Sequence, residues 1–365
     1  MNELLQYINT HLSWKTDLAA APYFLRIKQD GDYIICNYSQ FESDFSNPIV
    51  QEARGHIFYL CGDKAEYVCR PFKKFFNYGE SAAESIDWSS AYVTEKIDGS
   101  LMKVWFHKGK WHLSTNGTID AFKTNVNDLN LTFGDLFEQA LGYDVQKLGS
   151  FLNPTYTYCF ELTTPESRVV ISYPSQVWLL TAFNTKTGQE IDSKTLGLPP
   201  CVRRPRVYLF NKLDTVLACV EQFDNTHEGV VVADKFSHRI KIKSAAYLAL
   251  AHSMNRQPIT NAYIIERLRD GTLDDIIGVY PGLEKRANDL RDKMIALVEE
   301  CAKMWRDIMR TNPSTRAEFA AQVKEISNNS VVSSFLFKKY DNPALDEIEW
   351  VLSVPTKKIL QLIGE

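Results

Sequence analysis

The sequence predicts an α+β chain, with antiparallel sheets flanked by helices first and an all-helical region after them. Three observations predict it. As far as residue 243 the chain breaks into short β-branched and aromatic runs, punctuated by Asp-Gly, Lys-Gly and Asn-Gly turns. From Ser244 those turn signals thin out and apolar residues recur at helical spacing. Within the helical part Asn312-Pro313-Ser314 reads as a stop and restart, because Pro313 breaks a helix and Ser314 can cap the next. The change of character falls at 244–258, and the two domains are expected at 1–246 and 247–365.

Residues 2–14 read as an amphipathic helix, with Leu4, Leu5, Ile8 and Leu12 on one face. Strands are expected at 23–29, 33–38, 53–61 and 65–70. Arg54-Gly55 opens the third, and a glycine there suggests close approach of a ligand or another backbone. In Arg70-Pro71-Phe72-Lys73-Lys74-Phe75-Phe76-Asn77 basic and aromatic residues interleave. Such a run anchors a core, or stacks a base beside phosphate-binding cations. Tyr92-Val93-Thr94-Glu95-Lys96 alternates as a strand and runs into Asp98-Gly99, a turn where glycine would take φ > 0. A single lysine at that strand's end projects into whatever cavity the sheet forms, which suits a nucleophilic amine or a phosphate ligand.

A hairpin follows: 101–107, a Lys108-Gly109-Lys110 turn and 111–115, with Asn116-Gly117 as a second tight turn. One helix is expected over 132–149, then strands at 155–162, 168–173 and 177–183, and a helix over 212–222. Glu228-Gly229 leads another strand. Arg239-Ile240-Lys241-Ile242-Lys243 alternates strictly, so its three cations share one face and its isoleucines the other. Like charges in a row repel unless an anion sits opposite, although lysines also guard exposed sheet edges. Helices are then expected at 244–256, 260–269, 283–310, 314–327, 343–353 and 356–363, the long one packing through Leu290, Ile295, Leu297 and Met304.

Composition narrows the function classes. A 365-residue chain with 45% hydrophobic and 24% charged residues is long enough for two domains and an ordinary globular core. Its net charge of −4 rules out a chain-wide basic footprint, so a polyanion would have to meet local cations. The seven cysteines are scattered without a C-x-x-C pair, which speaks against a zinc ribbon or a disulfide framework and for reduced thiols. No signal peptide or membrane-length apolar run is apparent, so a cytoplasmic location is expected, the host's if the chain is viral.

Five strings fall in order: Arg54-Gly55, Lys96-Ile97-Asp98-Gly99-Ser100, Phe160-Glu161-Leu162, Glu228-Gly229 and Lys241-Ile242-Lys243. The set resembles the collinear motifs of the covalent nucleotidyltransferases. Within that superfamily, Lys96-x-Asp98-Gly99-Ser100, Glu161 with Thr164 to Val170, Glu52-Ala53-Arg54-Gly55, and Arg70-Pro71 with Lys74 to Asn77 resemble the bacteriophage-type ATP-dependent RNA ligase 1 family. The motifs span about residues 40–250.

The resemblance implies a nucleotidyltransferase domain in which Lys96 attacks the α-phosphate of ATP to give lysyl-AMP. AMP then passes to an RNA 5′-phosphate, and a 3′-OH displaces it. Lys241 and Lys243 would hold the α-phosphate, and Arg54 and Lys74 are further phosphate contacts, with Arg239 a weaker candidate. Glu95, Ile97, Gly99 and Asn116 would line the nucleotide, and Phe76 would stack the adenine. Glu161 and Glu228 would serve the ribose or reach Mg²⁺ (Mn²⁺ can substitute) mostly through water. An attacking amine must be neutral, and neighbouring cations with desolvation favour that form. The implied partner is RNA with 5′-phosphate and 3′-OH ends, such as a nicked tRNA anticodon loop. The helical domain would choose that substrate, and a monomer is expected. In one respect the chain departs from the pattern: Asn116 stands where the family commonly has a basic residue, keeping a left-handed turn and a hydrogen bond but not the charge. A DNA ligase or dual RNA/DNA end-joining ligase is the nearest alternative, though Ser100-Leu101-Met102 and downstream helices fit it poorly. A non-catalytic RNA-binding module on a ligase fold is the alternative from another class.

Overall fold

Strands occupy the first two thirds of the chain and helices the rest. The computed structural model describes residues 3–40, 42–126, 130–254, 259–271, 273, 277 and 281–365. It forms two units, Met1–Asn255 and Arg256–Glu365. The strands are β1 (Leu25–Asp30), β2 (Tyr33–Tyr38), β3 (Arg54–Cys61), β4 (Lys64–Cys69), β5 (Phe76–Asn77), β6 (Tyr92–Lys96), β7 (Ser100–His107), β8 (Lys110–Thr115), β9 (Tyr156–Thr163), β10 (Gln176–Asn184), β11 (Glu190–Ile191), β12 (Val202–Arg203), β13 (Val207–Tyr208), β14 (Gly229–Ala233) and β15 (Arg239–Lys243).

They make three sheets, ordered β1-β2-β3-β4, β11-β10-β9-β7-β8 with β12 beside β10, and β13-β6-β14-β15-β5. Apart from two short parallel pairings, β10 with β12 and β15 with β5, the ladders are antiparallel. Each sheet packs one face into a core of its own. The first packs Ile34, Cys36 and Phe58 against Leu4 and Ile8 of the helix Glu3–Thr10. The second packs Met102, Val104, Phe160 and Leu162 against Leu136, Phe137 and Leu148. The third packs Val93, Val230, Ile240 and Ile242 against Val216 and Val220 of the helix Leu213–Glu221. Between the first two sheets, Ile57, Val68 and Cys69 meet Trp105. Alternation is the common cause: odd and even residues face opposite sides, so one strand serves a core and a pocket at once.

The differences from expectation have physical reasons. Residues 168–173 are irregular rather than a strand, because their amides are used elsewhere: Val170 and Ile171 N–H donate to Asp98 Oδ2 at 2.9 and 2.7 Å. The helix expected over 132–149 is two, Phe133–Leu141 and Val145–Gly149, since Gly142 caps the first in a left-handed conformation with φ 81°. Leu12 lies outside the first helix and is exposed. Ser330–Asp341 is helical although its Ser- and Val-rich start weakens the sequence signal; Val332, Phe335 and Leu336 are its buried face. Thr315, not Ser314, caps Arg316–Ile326, its hydroxyl accepting from Glu318 N–H at 3.2 Å. In Glu284–Arg310 the buried stripe is Ala287, Leu290, Met294, Leu297, Cys301 and Ile308, which leaves Ile295 and Met304 half-buried. The helix expected over 244–256 is Ala245–Met254, and residues 255 and 256 lie outside the described residues.

Asp98 ties the chain where it crosses from the third sheet to the second. Besides the two amides it accepts the Tyr247 hydroxyl at 3.0 Å. Asp98→Ala removes the acceptor of two buried N–H groups, at about 1–3 kcal/mol for each, and its bond to the Tyr247 hydroxyl. Chemical denaturation should show a loss of several kcal/mol for Asp98→Ala and a much smaller one for Asp98→Asn, which keeps an acceptor oxygen in place.

Candidate active site

Three strands of the third sheet bring the charged residues together. Gly229 of β14 lies between Lys96 of β6 and Lys243 of β15 in the register, so the three form one row across the sheet. Glu228, immediately before β14, reaches both lysines: Lys96 Nζ donates to its Oε2 and Lys243 Nζ pairs with its Oε1, each at 2.8 Å. Glu228 is 2% exposed. Burial pushes its carboxyl up, but Lys243 and Lys96 outweigh that and hold it below the ordinary glutamate range. One carboxylate shared by two ammonium groups leaves the row with a surplus of positive charge facing the pocket.

Gly99 lies at the crossing to β7, and its role differs from the one expected. The Ile97-Asp98-Gly99 segment joins two sheets rather than two paired strands, and Gly99 is not among the positive-φ glycines. Close approach demands glycine: a Cβ there would lie 2.5 Å from the Leu162 carbonyl and 3.0 Å from Glu161 Cγ. That contact sets Glu161 beside Lys96. Glu161 is half-buried and accepts no hydrogen bond among the described residues. Burial pushes it up to about 7, with Lys96 and Arg54 pulling down and Glu228 and Asp98 pushing up. An unpartnered carboxylate beside a lysine suits a ribose hydroxyl or a hydrated divalent cation. Among the described residues no three acidic, histidine or cysteine side chains gather as a metal cage. Glu161 and Glu228 are hard oxygen donors of the type that a magnesium ion takes.

The first sheet supplies Arg54, whose guanidinium lies 5.5 Å from the Phe75 ring and whose Nη1 is buried with no hydrogen-bond partner. Gly55 has φ 76°, and a Cβ there would lie 2.6 Å from the Asn116 carbonyl oxygen. Asn116 is not in a left-handed turn, contrary to expectation, and its Oδ1 is buried without a partner. Lys74 and Phe76 are both buried. The Lys74 ammonium lies over Phe45, Tyr38 and Phe76, at 4.1, 5.0 and 5.2 Å from the ring centres. Phe76 is thus a wall shared with Lys74 rather than an open platform. Glu95 alternates to the face opposite Lys96, and Ile97 is buried, so near Lys96 both contribute mainly backbone. Lys241 is half-buried on the face of Lys243, and its backbone pairs with Asn77 of β5, so this strand is no exposed edge.

Arg239 goes elsewhere. At the other end of β15 its guanidinium pairs with Glu190, hydrogen-bonds Tyr92 Oη at 3.2 Å and lies over Phe72 at 5.0 Å. Its charge is spent on the fold. Tyr247, which the sequence reading missed, is buried with its hydroxyl on Asp98 and its ring 5.3 Å from Lys243 Nζ. Its place directly after the basic strand was the available signal.

Antiparallel sheets that bring two lysines onto one buried carboxylate fit the nucleotidyltransferase class that the sequence motifs resemble. The chain belongs to the RNA ligase family, whose model matches residues 52–247. It is 33% identical over 272 residues to a candidate bifunctional polynucleotide kinase/RNA ligase of Autographa californica nuclear polyhedrosis virus, a match covering 69% of this chain and 38% of that protein. It is 25% identical over 299 residues to RNA ligase 1 of bacteriophage TS2126, covering 77% of this chain and 72% of the relative. An archaeal ATP-dependent RNA ligase structure aligns with a TM-score of 0.45 at 13% identity, over 99% of this chain and 81% of that one. Among the described residues no helix is long and apolar enough to cross a membrane.

Glu161 gives the site a pH signature. Its folded pKa lies above its unfolded value, so its contribution to stability is full below about 4.5 and is lost as pH rises through about 7. Glu161→Gln should therefore melt several degrees above wild type at pH 8 and match it near pH 4, a comparison thermal denaturation makes directly.

Proposed function

We propose that the chain is an ATP-dependent RNA ligase that joins RNA 3′-OH and 5′-phosphate ends through a lysyl-AMP intermediate. The observation that carries this reading is the Lys96–Glu228–Lys243 row, set within the segment that matches the RNA ligase family. The ion pair fixes Lys96 in place and has to open before its Nζ, as a neutral amine, can attack. Lys96 Nζ then bonds to the α-phosphorus of ATP and pyrophosphate leaves with the bonding electron pair. Lys243, with Lys241 on the same strand face, stabilises the charge on the phosphoryl oxygens. Arg54 and Lys74 hold the phosphates, and Glu161 accepts a ribose hydroxyl. Asn116 and the Glu95, Ile97 and Gly99 backbone line the nucleoside, with the Phe76 wall against the adenine. A magnesium ion, reached by Glu161 and Glu228 chiefly through water, would neutralise phosphate charge as a Lewis acid.

Next, a 5′-phosphate oxygen of RNA attacks the adenylyl phosphorus, the Lys96 N–P bond breaks, and AMP caps the 5′ end. A 3′-OH then attacks that 5′-phosphate, forming the phosphodiester and releasing AMP. Repair of a nicked tRNA anticodon loop, in the cytoplasm and by a monomer, is the biological setting this chemistry suits. The helical unit Arg256–Glu365 would select the RNA.

Incubation with α-labelled ATP and magnesium should leave a covalent label on wild type that is absent from Lys96→Ala. Lys243→Ala and Glu228→Gln should label at least about a hundredfold more slowly, the range expected for a lost transition-state electrostatic contact. An unlabelled wild type would leave a non-catalytic RNA-binding module as the better reading, and a label that survives in Lys96→Ala would overturn Lys96 as the nucleophile. Ligation of 5′-phosphorylated RNA and DNA strands in parallel separates an RNA ligase from a DNA or dual-specificity ligase. A chain truncated after residue 255 should still label but lose its preference for nicked tRNA; unchanged preference would remove the helical unit from substrate choice.

A further inference from the structure

Lys103 stands in the middle of β7 and is fully buried. Its Nζ donates to the Gly55 carbonyl, and no carboxylate pairs with it among the described residues. A buried ammonium without an acid is strongly disfavoured unless something anionic comes near it. The titratable groups that face it are Arg54 and His56 of β3, Cys69 of β4 and Cys159 of β9. His56 is held neutral, its pKa pushed far down by burial and by Arg70, Lys103 and Arg54. Arg54 also has no acid against its buried Nη1, which has no hydrogen-bond partner, and the neighbouring Asn116 Oδ1 is buried without a donor. A Cβ built on Gly55 would lie 2.8 Å from Lys103 Nζ and 2.9 Å from Asn116 Oδ1, so the two side chains converge on one point behind the Arg54-Gly55 backbone. Two cations with no acid between them, one of them with a buried N–H that has no acceptor, describe a place made for an anion.

We propose that Lys103 is a positioning residue for the phosphates of the bound nucleotide. Through the Gly55 carbonyl it holds the Arg54-Gly55 wall, and it supplies the positive charge that the neighbouring Asn116 does not carry. The proposal rests on the adenylylation reading of the Lys96 site. Burial pushes the Lys103 amine down to about 8, with the Cys69 and Cys159 thiols acting in the opposite direction and Arg54 adding to the fall. Nucleotide binding favours the ammonium, so affinity for ATP weakens as pH climbs past that value.

The test compares wild type, Lys103→Met and the double variant Lys103→Met/Asn116→Lys by KM for ATP in lysyl-AMP formation at pH 7.5 and pH 9, with melting temperatures alongside. Lys103→Met, which removes a buried charge and keeps the side-chain length, should melt no lower than wild type. Its KM for ATP should rise about tenfold, one lost charge-assisted contact. The pH 9 weakening seen in wild type should be absent from it, and Asn116→Lys, placing an ammonium at the same point, should restore most of the affinity. A Lys103→Met enzyme with wild-type KM overturns the proposal, as does a loss of affinity that Asn116→Lys fails to restore. If Lys103→Met does not fold, the double variant decides: a folded, ATP-binding double variant supports the proposal and an unfolded one makes Lys103 a structural residue only. A wild type that takes no label overturns the adenylylation reading itself, a result distinct from any of these.

Discussion

Glu228 is the constraint on which the site depends. It is buried, and it is ionised only because two lysines from different strands reach it. Were either lysine lost, a buried carboxylate would be left half-compensated, a situation that costs more than the pair itself contributes. The carboxylate therefore fixes the distance between a nucleophile on β6 and a phosphate-binding cation on β15. Those strands never pair with each other; β14 separates them, and Glu228 immediately before it reaches both lysines.

Around this row the fold uses close backbone approach to bring other sheets in. Gly99 lets the crossing chain press on the Leu162 carbonyl, which sets Glu161 from the second sheet beside Lys96. Gly55 admits Lys103 and Asn116 behind Arg54 from the first. Asp98, by consuming the amides of an irregular segment and the Tyr247 hydroxyl, locks the crossing itself. The pocket is a junction of three sheets, each of which buries its other face in a separate apolar core. The opposite faces are shared between the apolar contact of Ile57, Val68 and Cys69 with Trp105 and the polar residues of the site.

Charge in the pocket is distributed by burial as much as by type. Arg239 carries the strongest cation on the basic strand, yet Glu190 and two aromatic rings take it into the fold. Lys103 sits inside a strand where an apolar residue would pack well, and no acid meets it among the described residues. A residue's place in an alternating pattern shows which face it occupies, but not what waits on that face.

The sequence by itself determined the α+β order, every strand longer than two residues to within two residues, the face shared by Lys241 and Lys243, and the collinear strings that carry the family resemblance. These are local properties: side-chain period, turn chemistry and motif spacing are written over a few neighbouring residues. The helix Ser330–Asp341 escaped because its propensity is weak and its stability comes from the buried Val332, Phe335 and Leu336. The strand expected at 168–173 failed because Asp98, some seventy residues earlier, captures its amides. Only the tertiary structure decided that Glu228 is shared between Lys96 and Lys243, that Arg239 is neutralised, and that Lys103 and Asn116 meet behind Gly55. Each of those depends on which distant group fills a given volume, and electrostatic energy is set by that neighbour and its burial rather than by position along the chain.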